Sequence, residues 1–317
     1  YDPVGTLQLL EPGVTRGENR HQLIRDSDWS ASLDALQELC PNLQSIALVV
    51  SWFGDDLRSG QCTLQPRVEL ANKTTDGAPW SVAGLDRATA PEVSKHNGKP
   101  AFGGTPSDDV VTRAIQDIRN RGLEVVFYPF IMMDIAADNA IPDPWTGNSV
   151  QPAYPWRGRI TCDPAPGRIG TADTTITAAS QIDTFFGPII PSAQDWSFRR
   201  FILHYANLCK EAGGVETFLI GSEMAALTRV RSASGIYPAC NHLAQLAVDV
   251  AAIAGIGTAI SYAADWTEYG AHVLGNGDEV RFPLDVLWSP PEIAFVGIDA
   301  YWPMSDWRDG TTHLDAT

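Results

Sequence analysis

Mainly apolar runs alternate along the chain with segments in which apolar residues recur at helical spacing. The runs predict strands at Ser45–Phe53, Leu123–Met133, Val215–Ile220, Thr258–Tyr262 and Ile293–Ile298. Helical spacing predicts helices at Ser30–Leu39, Thr105–Gly122, Asp195–Gly213 and Pro238–Gly255, and a helical turn at Leu284–Trp288. Unbroken β-branched runs are typical of strands covered on both faces, and their alternation with helices predicts parallel βαβ units.

Two long segments interrupt this alternation. Residues 54–104 and 134–192 are rich in Gly and Pro, and they are predicted as loop insertions, the first with a small hairpin around Thr63–Leu70. Structureless loops of this length are uncommon inside a domain and are often functional.

The βαβ pattern fits either an open doubly wound sheet or a closed barrel. No GxGxxG follows the first strand, so the usual nucleotide-binding form of the open sheet has no support. Polar or aromatic residues lie at the carboxyl ends of the strands, where barrels build active sites. They are Trp52, Asp55, Asp56, Asp134, Glu223, Tyr262, Asp265, Trp266, Asp299, Tyr301 and Trp302. We therefore predict one α/β domain over residues 1–317, a (β/α)8 TIM-barrel-like fold that is incomplete because only five strands are evident.

Charge and cysteine content exclude several classes of partner. The net charge of −16 over 317 residues disfavours a nucleic-acid partner, and the most apolar stretch divides into a helix and a strand rather than a membrane span. The five cysteines show no metal-ligand spacing, and no cofactor motif is present, although a Cys62–Cys162 bridge stays open. The chain shows no signal peptide and begins at Tyr1 without Met, so we expect a fragment.

Glu223 is the strongest candidate for a catalytic carboxylate. It follows the apolar strand of VETFLIGSEM, and Gly221 and Ser222 allow the backbone to turn. Partial burial would raise the pKa of its carboxyl group, as a general acid requires. The alternative is a structural Glu bonded to the backbone or to an arginine such as Arg229.

Glycoside hydrolysis needs a second carboxylate from another strand end. Asp299 in FVGIDAYWPM is the first candidate, although a role in orienting Tyr301 or a sugar hydroxyl is favoured for it. Glu268 is a weaker candidate. For Asp55 and Asp56, loop capping is favoured over chemistry.

Aromatic residues near strand ends are candidates for sugar contacts, although each alone fits packing better. They are Trp52, Tyr262, Trp266, Tyr301, Trp302 and Trp307. Together with Ser222, Asp55 and Asp299, all of these except Trp307 make up the predicted substrate-binding set. Arg157 and Arg159 are expected either to bind an acidic group or to pin their loop.

Several long motifs resemble one family. They are LVVSWFGDDLRSGQC, PAFGGTPSDDVV, YPFIMMDI, QPAYPWRGRITCDPAPGRIGT, FLIGSEM and FVGIDAYWPMSDW. Over about residues 28–307 the chain resembles the glycoside-hydrolase-type TIM-barrel domain of the tail-tip (baseplate hub) protein of gene transfer agents and related phage tails.

The resemblance implies a clan A glycoside hydrolase barrel in which the acid/base Glu follows the fourth strand, at Glu223. The nucleophile Glu would follow the seventh strand, in a segment that does not occur here, because the chain ends after the sixth. Ser222 stands where clan A enzymes usually carry Asn. The Asp299–Tyr301 motif resembles a substrate-side element of some mannan-degrading relatives.

Two functions are therefore open. One is a retaining O-glycosidase at the tail tip that cleaves or binds cell-surface or cell-wall polysaccharide. The other is a non-catalytic structural or receptor-binding barrel in the tail hub, since a fold does not fix a function. In both cases the expected partners are other tail proteins and a glycan. The expected location is the tail tip of a particle made in the bacterial cytoplasm.

Overall fold

The structure is a computed structural model that describes residues 1–305 and 308–314. In chain order its strands are β1 (Leu7–Glu11), β2 (Val14–Gly17), β3 (Ser45–Gly54), β4 (Leu64–Gln65), β5 (Thr74–Thr75), β6 (Ser81–Val82), β7 (Leu85–Asp86), β8 (Lys95–His96), β9 (Lys99–Pro100), β10 (Glu124–Met133), β11 (Thr217–Ser222), β12 (Ala259–Asp265), β13 (His272–Leu274), β14 (Glu279–Arg281) and β15 (Gly297–Asp299). The helices are α1 (Asp28–Leu39), α2 (Asp108–Asn120), α3 (Ile176–Phe186), α4 (Phe198–Glu211), α5 (Pro238–Ala254) and α6 (Asp285–Trp288). Short 3-10 turns lie at Arg157–Arg159, Leu227–Arg229 and Gly275–Gly277.

One sheet organises the fold. Its strand order is β15-β12-β11-β10-β3-β4, and every neighbouring pair is parallel except β3 and β4. All five predicted strands are found in it, although the last is Gly297–Asp299, preceded by an isolated bridge between Ile293 and Ile260. Their carboxyl ends meet at one edge of the sheet, where site residues are expected.

The sheet is strongly curved. The Tyr128 hydroxyl on β10 donates a hydrogen bond to Asp299 on β15, although β11 and β12 lie between those strands. In a flat sheet three strand spacings would separate them by roughly 14 Å. That distance is too large for two side chains standing perpendicular to the sheet to bridge. The sheet therefore bends into an arc with these side chains on its concave face, as in a barrel wall.

Helices α2, α4 and α5 pack against the sheet and against one another. The sequence of α2 shows why it forms where it does, because Ser107 caps it through the Val110 N–H (3.3 Å) and its first turn is acidic. Its buried residues are Val111, Ala114, Ile115 and Ile118, a single face at helical spacing. The aromatic core lies mainly between the sheet and α4.

Three local predictions need correction. The expected hairpin at Thr63–Leu70 is wrong, because Leu64–Gln65 pairs with the end of β3. The hairpins of this segment are instead β6–β7 and β8–β9. The turn-rich amino terminus contains the hairpin β1–β2, and residues 134–192 contain α3.

Candidate functional site

The backbone around Glu223 departs from regular strand geometry. The register between β11 and β12 shifts between Leu219 and Ser222. Gly221 has φ +145°, and a Cβ there would lie 2.8 Å from the Phe198 ring, so only glycine fits. Glu223 has φ +49°, which costs a non-glycine residue about 1–2 kcal/mol. Strain of this kind persists only where surrounding contacts fix it, and it clusters at functional sites.

Hydrogen-bond donors surround the Glu223 carboxylate. Its Oε2 accepts from Trp156 Nε1 (2.8 Å) and lies 2.9 Å from an Arg157 guanidinium nitrogen. Its Oε1 accepts from the Tyr301 hydroxyl at 2.8 Å. Glu223 is buried, so these contacts replace the water that a carboxylate would otherwise bind.

Arg157 and Trp156 reach Glu223 from the 134–192 segment. Arg157 is buried, stacks on the Phe130 ring at 3.6 Å, and also binds the Ser222 hydroxyl at 2.9 Å. A Cβ at position 158 would lie 2.4 Å from the Trp156 ring, so Gly158 lets that indole fold back over its own turn. The segment thus supplies a cation and an indole to the end of β11.

Asp299 is the second carboxyl group of this site. Burial raises its pKa, and hydrogen bonding to Glu223 and the negative charge of Glu223 raise it further, against the opposing effect of Tyr128 and Arg157. The hydrogen bond that the Tyr301 hydroxyl donates to Glu223 raises the pKa of Tyr301 to about 12. Asp299 therefore retains a proton to higher pH than an ordinary Asp, beside a carboxylate that accepts hydrogen bonds. We call Tyr128, Trp156, Arg157, Glu223, Asp299 and Tyr301 the carboxylate site.

Exposed aromatic side chains border the carboxylate site. The exposed fractions are 42% for Trp156, 40% for Trp266, and 63% for both Tyr301 and Trp302. The Trp266 N–H donates to the main-chain oxygen of Asp299 at 3.1 Å, which places it at the same sheet edge. Flat apolar faces beside hydrogen-bonding groups suit a ligand with rings and hydroxyls. These four residues are called the aromatic rim below.

Two of the predicted substrate contacts belong to the core. Trp52 is fully buried, stacks on Phe201 with centroids 5.1 Å apart, and donates to the Tyr205 hydroxyl at 3.1 Å. Tyr262 is also fully buried. The prediction that they offer a surface to a ligand is wrong, because packing covers both rings.

The acidic residues at other strand ends have local structural partners. Asp55 accepts from Thr63 N (2.8 Å) and Thr63 Oγ1 (2.5 Å), which is the loop capping favoured from the sequence, so its place among the predicted substrate contacts is not supported. Asp134 binds Arg67 at 2.7 Å, and Asp265 caps its own turn at Thr267 N (2.8 Å). None of these three carboxylates contacts the carboxylate site through a described hydrogen bond.

The residues singled out in the sequence also include Ser222, Trp307 and the two cysteines Cys62 and Cys162. The Ser222 hydroxyl is committed to Arg157. Trp307 lies outside the described residues. Cys62 and Cys162 are both free thiols, and burial raises the pKa of each. Within residues 1–305 and 308–314, no three His, Cys, Asp or Glu side chains lie together as a metal site would require.

Sequence reasoning missed Trp156, Tyr128 and Phe130. Tyr128 and Phe130 alternate with the fully buried Phe127 and with Ile131 on β10, so a parity argument could have assigned them to the concave face. No local signal marks Trp156, since its contact with Glu223 spans 67 positions of the chain. Arg157 does bind an acidic group, but that group belongs to the protein.

A separate cleft of about 340 Å³ lies between the amino-terminal hairpin and the start of α2. Its charged side chains are paired: Arg113 with Asp2 at 2.7 Å, Arg87 with Glu69 at 3.0 Å, and Glu18 with Lys73. These ion pairs leave no described charge in the cleft directed at a ligand.

The carboxyl-terminal part of the chain matches a family model. Residues 196–317 match the GTA TIM-barrel-like domain, where GTA denotes gene transfer agents. This part carries Glu223, Asp299 and Tyr301, and over these residues the match confirms the resemblance and the TIM-barrel-like α/β fold.

Solved structures that resemble this chain do so at low sequence identity. A complex of a GH113 beta-1,4-mannanase matches with 15% identity and a TM-score of 0.44, covering 88% of this chain and 58% of that one. GH113 beta-mannanase AaManA from Alicyclobacillus acidocaldarius in complex with ManMIm matches with 17% identity and a TM-score of 0.42, covering 89% and 58%. The chain thus spans 58% of the length of these structures. No curated protein sequence matches it.

In the described part of the chain, each helix is too short or too polar to cross a membrane.

Proposed function

We propose that this domain lies at the tail tip of a gene transfer particle, where its carboxylate site engages a polysaccharide of the cell surface or cell wall. Glu223 is the acid/base carboxylate in this proposal. The observation that carries it is a buried glutamate in a left-handed backbone conformation, bordered by exposed aromatic side chains. Buried carboxylates supply proton transfer, and exposed aromatic faces supply stacking surface for sugar rings.

In this proposal, the role of each residue of the carboxylate site follows from its hydrogen bonds. Trp156, Arg157 and Tyr301 fix both oxygens of Glu223, while Tyr128 fixes Asp299 beside it. Burial and the neighbouring charge raise the pKa of Asp299, so it takes up a proton at higher pH than an ordinary Asp. A proton shared between the two carboxyl groups would be available to a glycosidic oxygen over Glu223. The aromatic rim would hold the flanking sugars.

Glu223→Gln tests hydrolysis in the purified protein. With peptidoglycan and capsule preparations as substrates, we expect release of reducing ends to fall about 10²–10⁴-fold, the usual contribution of an acid/base group, while the protein still sediments with the glycan. Glu216→Gln is the matched control, because Glu216 lies at the opposite end of the same strand, where its Oε2 accepts from Val125 N at 2.8 Å. Absence of reducing ends with the wild-type protein, or equal release by both variants, would reject hydrolysis.

A non-catalytic receptor-binding barrel is the second candidate, and one observation favours it. Retaining glycosidases place their two carboxyl groups about 5 Å apart across the scissile bond. In this protein both carboxyl groups are instead bound by protein donors, Glu223 by Trp156 and Tyr301, and Asp299 by Tyr128. This candidate predicts glycan binding without cleavage and normal infectivity of particles that carry Glu223→Gln. Loss of infectivity in normally assembled particles would count against it.

A further inference from the structure

Glu268 is a buried carboxyl group that the proposed chemistry does not use. It lies in the turn after β12 and is 2% exposed. Its Oε1 accepts from the Tyr262 hydroxyl (2.9 Å) and the Thr228 hydroxyl (2.8 Å), and its Oε2 accepts from Asp265 N (3.1 Å). Burial of a carboxyl group is costly, and three donors on one group offset much of that cost.

The two residues whose hydroxyl groups bind Glu268, Tyr262 and Thr228, also bind the segment that follows Glu223. The Met224 N–H donates to the Tyr262 oxygen at 2.8 Å. Four residues later, the Thr228 N–H donates to the Met224 carbonyl at 3.0 Å. Glu268 is therefore joined by hydrogen bonds to the first residue after Glu223 and to the end of the turn.

These bonds bear directly on the unusual backbone of Glu223. Its own N–H donates to the Ala263 carbonyl at 2.9 Å, and the next N–H along the chain donates to Tyr262. The first bond fixes the peptide group before Glu223, and the second fixes the peptide group after it. Together they hold the φ and ψ angles of a residue that would otherwise leave the left-handed region.

The Tyr262 hydroxyl can receive the Met224 N–H only if its single hydrogen points elsewhere. Glu268 accepts that hydrogen and so leaves an oxygen lone pair for Met224. We propose that Glu268 is a positioning residue for Glu223, acting through the Tyr262 hydroxyl on the peptide group between Glu223 and Met224. The role of Glu223 as acid/base rests on the proposed function, whereas the backbone coupling can be measured without substrate.

The test compares Glu268→Gln and Tyr262→Phe with the control Glu216→Gln. Glutamine cannot accept from the hydroxyl groups and the Asp265 N–H at once, and phenylalanine keeps the ring but removes the hydroxyl. We expect the Met224 amide to exchange with solvent about tenfold faster in both variants, as loss of one hydrogen bond allows. The indole N–H resonance of Trp156, which donates to Glu223, should shift in ¹⁵N-tryptophan spectra. Both signals should stay at wild-type values in Glu216→Gln.

Kinetics then separate positioning from substrate binding. On a glycan that the wild-type protein cleaves, Glu268→Gln should lower kcat about tenfold with KM within about twofold, because only the transition state needs the aligned carboxyl group. The inference is overturned if Glu268→Gln leaves both the Met224 exchange rate and the Trp156 resonance unchanged, or if both change while kcat does not. If the wild-type protein cleaves nothing, the proposed hydrolysis fails, and the two spectroscopic signals alone decide the role of Glu268. If Tyr262→Phe does not fold, Glu268→Gln decides the outcome.

Discussion

The carboxyl ends of β3 and β11 look alike in sequence and differ completely in the folded protein. Each strand is mainly apolar, has a glycine at or next to its last residue, and is followed directly by an acidic residue. At the end of β3, Trp52 packs under α4 and Asp55 caps a loop. At the end of β11, Glu223 lies on the concave side among donors from two other parts of the chain, Trp156 and Arg157 on one segment and Tyr301 on another.

Side-chain direction explains the difference. On β3, Trp52 shares the alternation of Leu48 and Val50, so it faces the helices as they do. On β11, the register shift before Ser222 breaks the alternation, and the left-handed Glu223 then turns its side chain to the concave face. The candidate site forms at the end of β11 because the regular strand geometry is interrupted there. Substitutions at the ends of β3 and β11 should therefore have different effects.

Trp52→Ala should give the largest effect on stability. Deleting a fully buried indole leaves a cavity and should cost about 3–5 kcal/mol in the free energy of unfolding. Urea unfolding followed by circular dichroism measures it. Trp52→Phe is the control, since it keeps most of the packing and loses the bond to Tyr205. A cost for Trp52→Ala below about 1 kcal/mol would mean that the two strand ends are not distinct in the way described.

Stability should also fall as the pH rises, through Glu268. Burial raises its pKa from an ordinary value of 4.5 to about 7, with the nearby charge of Asp265 adding to the shift. The folded state therefore binds this proton more tightly than the unfolded state, so the stabilisation is complete below pH 4.5 and is lost as the pH rises through 7. The difference corresponds to roughly 3 kcal/mol.

Unfolding of wild-type protein and Glu268→Gln at a series of pH values isolates this contribution. The variant carries no titrating group at position 268, so its stability should fall less than that of the wild type between pH 4.5 and 7. The groups that face Glu268 are Thr228, Tyr262 and Asp265, with the Cys240 thiol nearby. Parallel curves for the two proteins would show that Glu268 keeps an ordinary pKa.

Trp302→Ala should have the smallest effect on stability and a selective effect on binding. An exposed side chain of the aromatic rim contributes little to folding, so the free energy of unfolding should change by less than about 0.5 kcal/mol. Loss of one stacking face should weaken glycan binding by about 1 kcal/mol, or roughly fivefold in Kd, by isothermal titration. The reverse result, lower stability with unchanged Kd, would place Trp302 in the same class as Trp52.

The strands and most helices were predictable because each carries its own periodic signal. The carboxyl-terminal motif with Asp299 and Tyr301 was predictable as a strand end for the same reason. Helix α3 was missed although Ala178, Ile182, Phe185 and Phe186 have helical spacing, because the Gly- and Pro-rich sequence around it indicated a loop. The hairpin β8–β9 also had a local sequence signal, the Asn97-Gly98 pair, which is typical of two-residue hairpin turns. Both residues have the positive φ that such a turn requires.

The assembly of the carboxylate site could not be predicted in the same way. The meeting of Trp156 with Glu223 depends on the path of a 59-residue segment, and no spacing rule encodes that path. The contact of Tyr128 with Asp299 depends on how far the sheet bends. The burial of Trp52 depends on which side of β3 the helices cover, and an isolated strand sequence does not state this.

The hydrogen bond between Tyr128 and Asp299 joins two non-adjacent strands across the concave face of the sheet. A slight unrolling, shared among three pairs of strands, would separate these two side chains while each backbone ladder kept its hydrogen bonds. The distance between these two side chains therefore depends on the curvature of the sheet, and one of them is the Asp299 carboxyl group beside Glu223. A change in the curvature of the sheet would therefore also change the environment of the Asp299 carboxyl group.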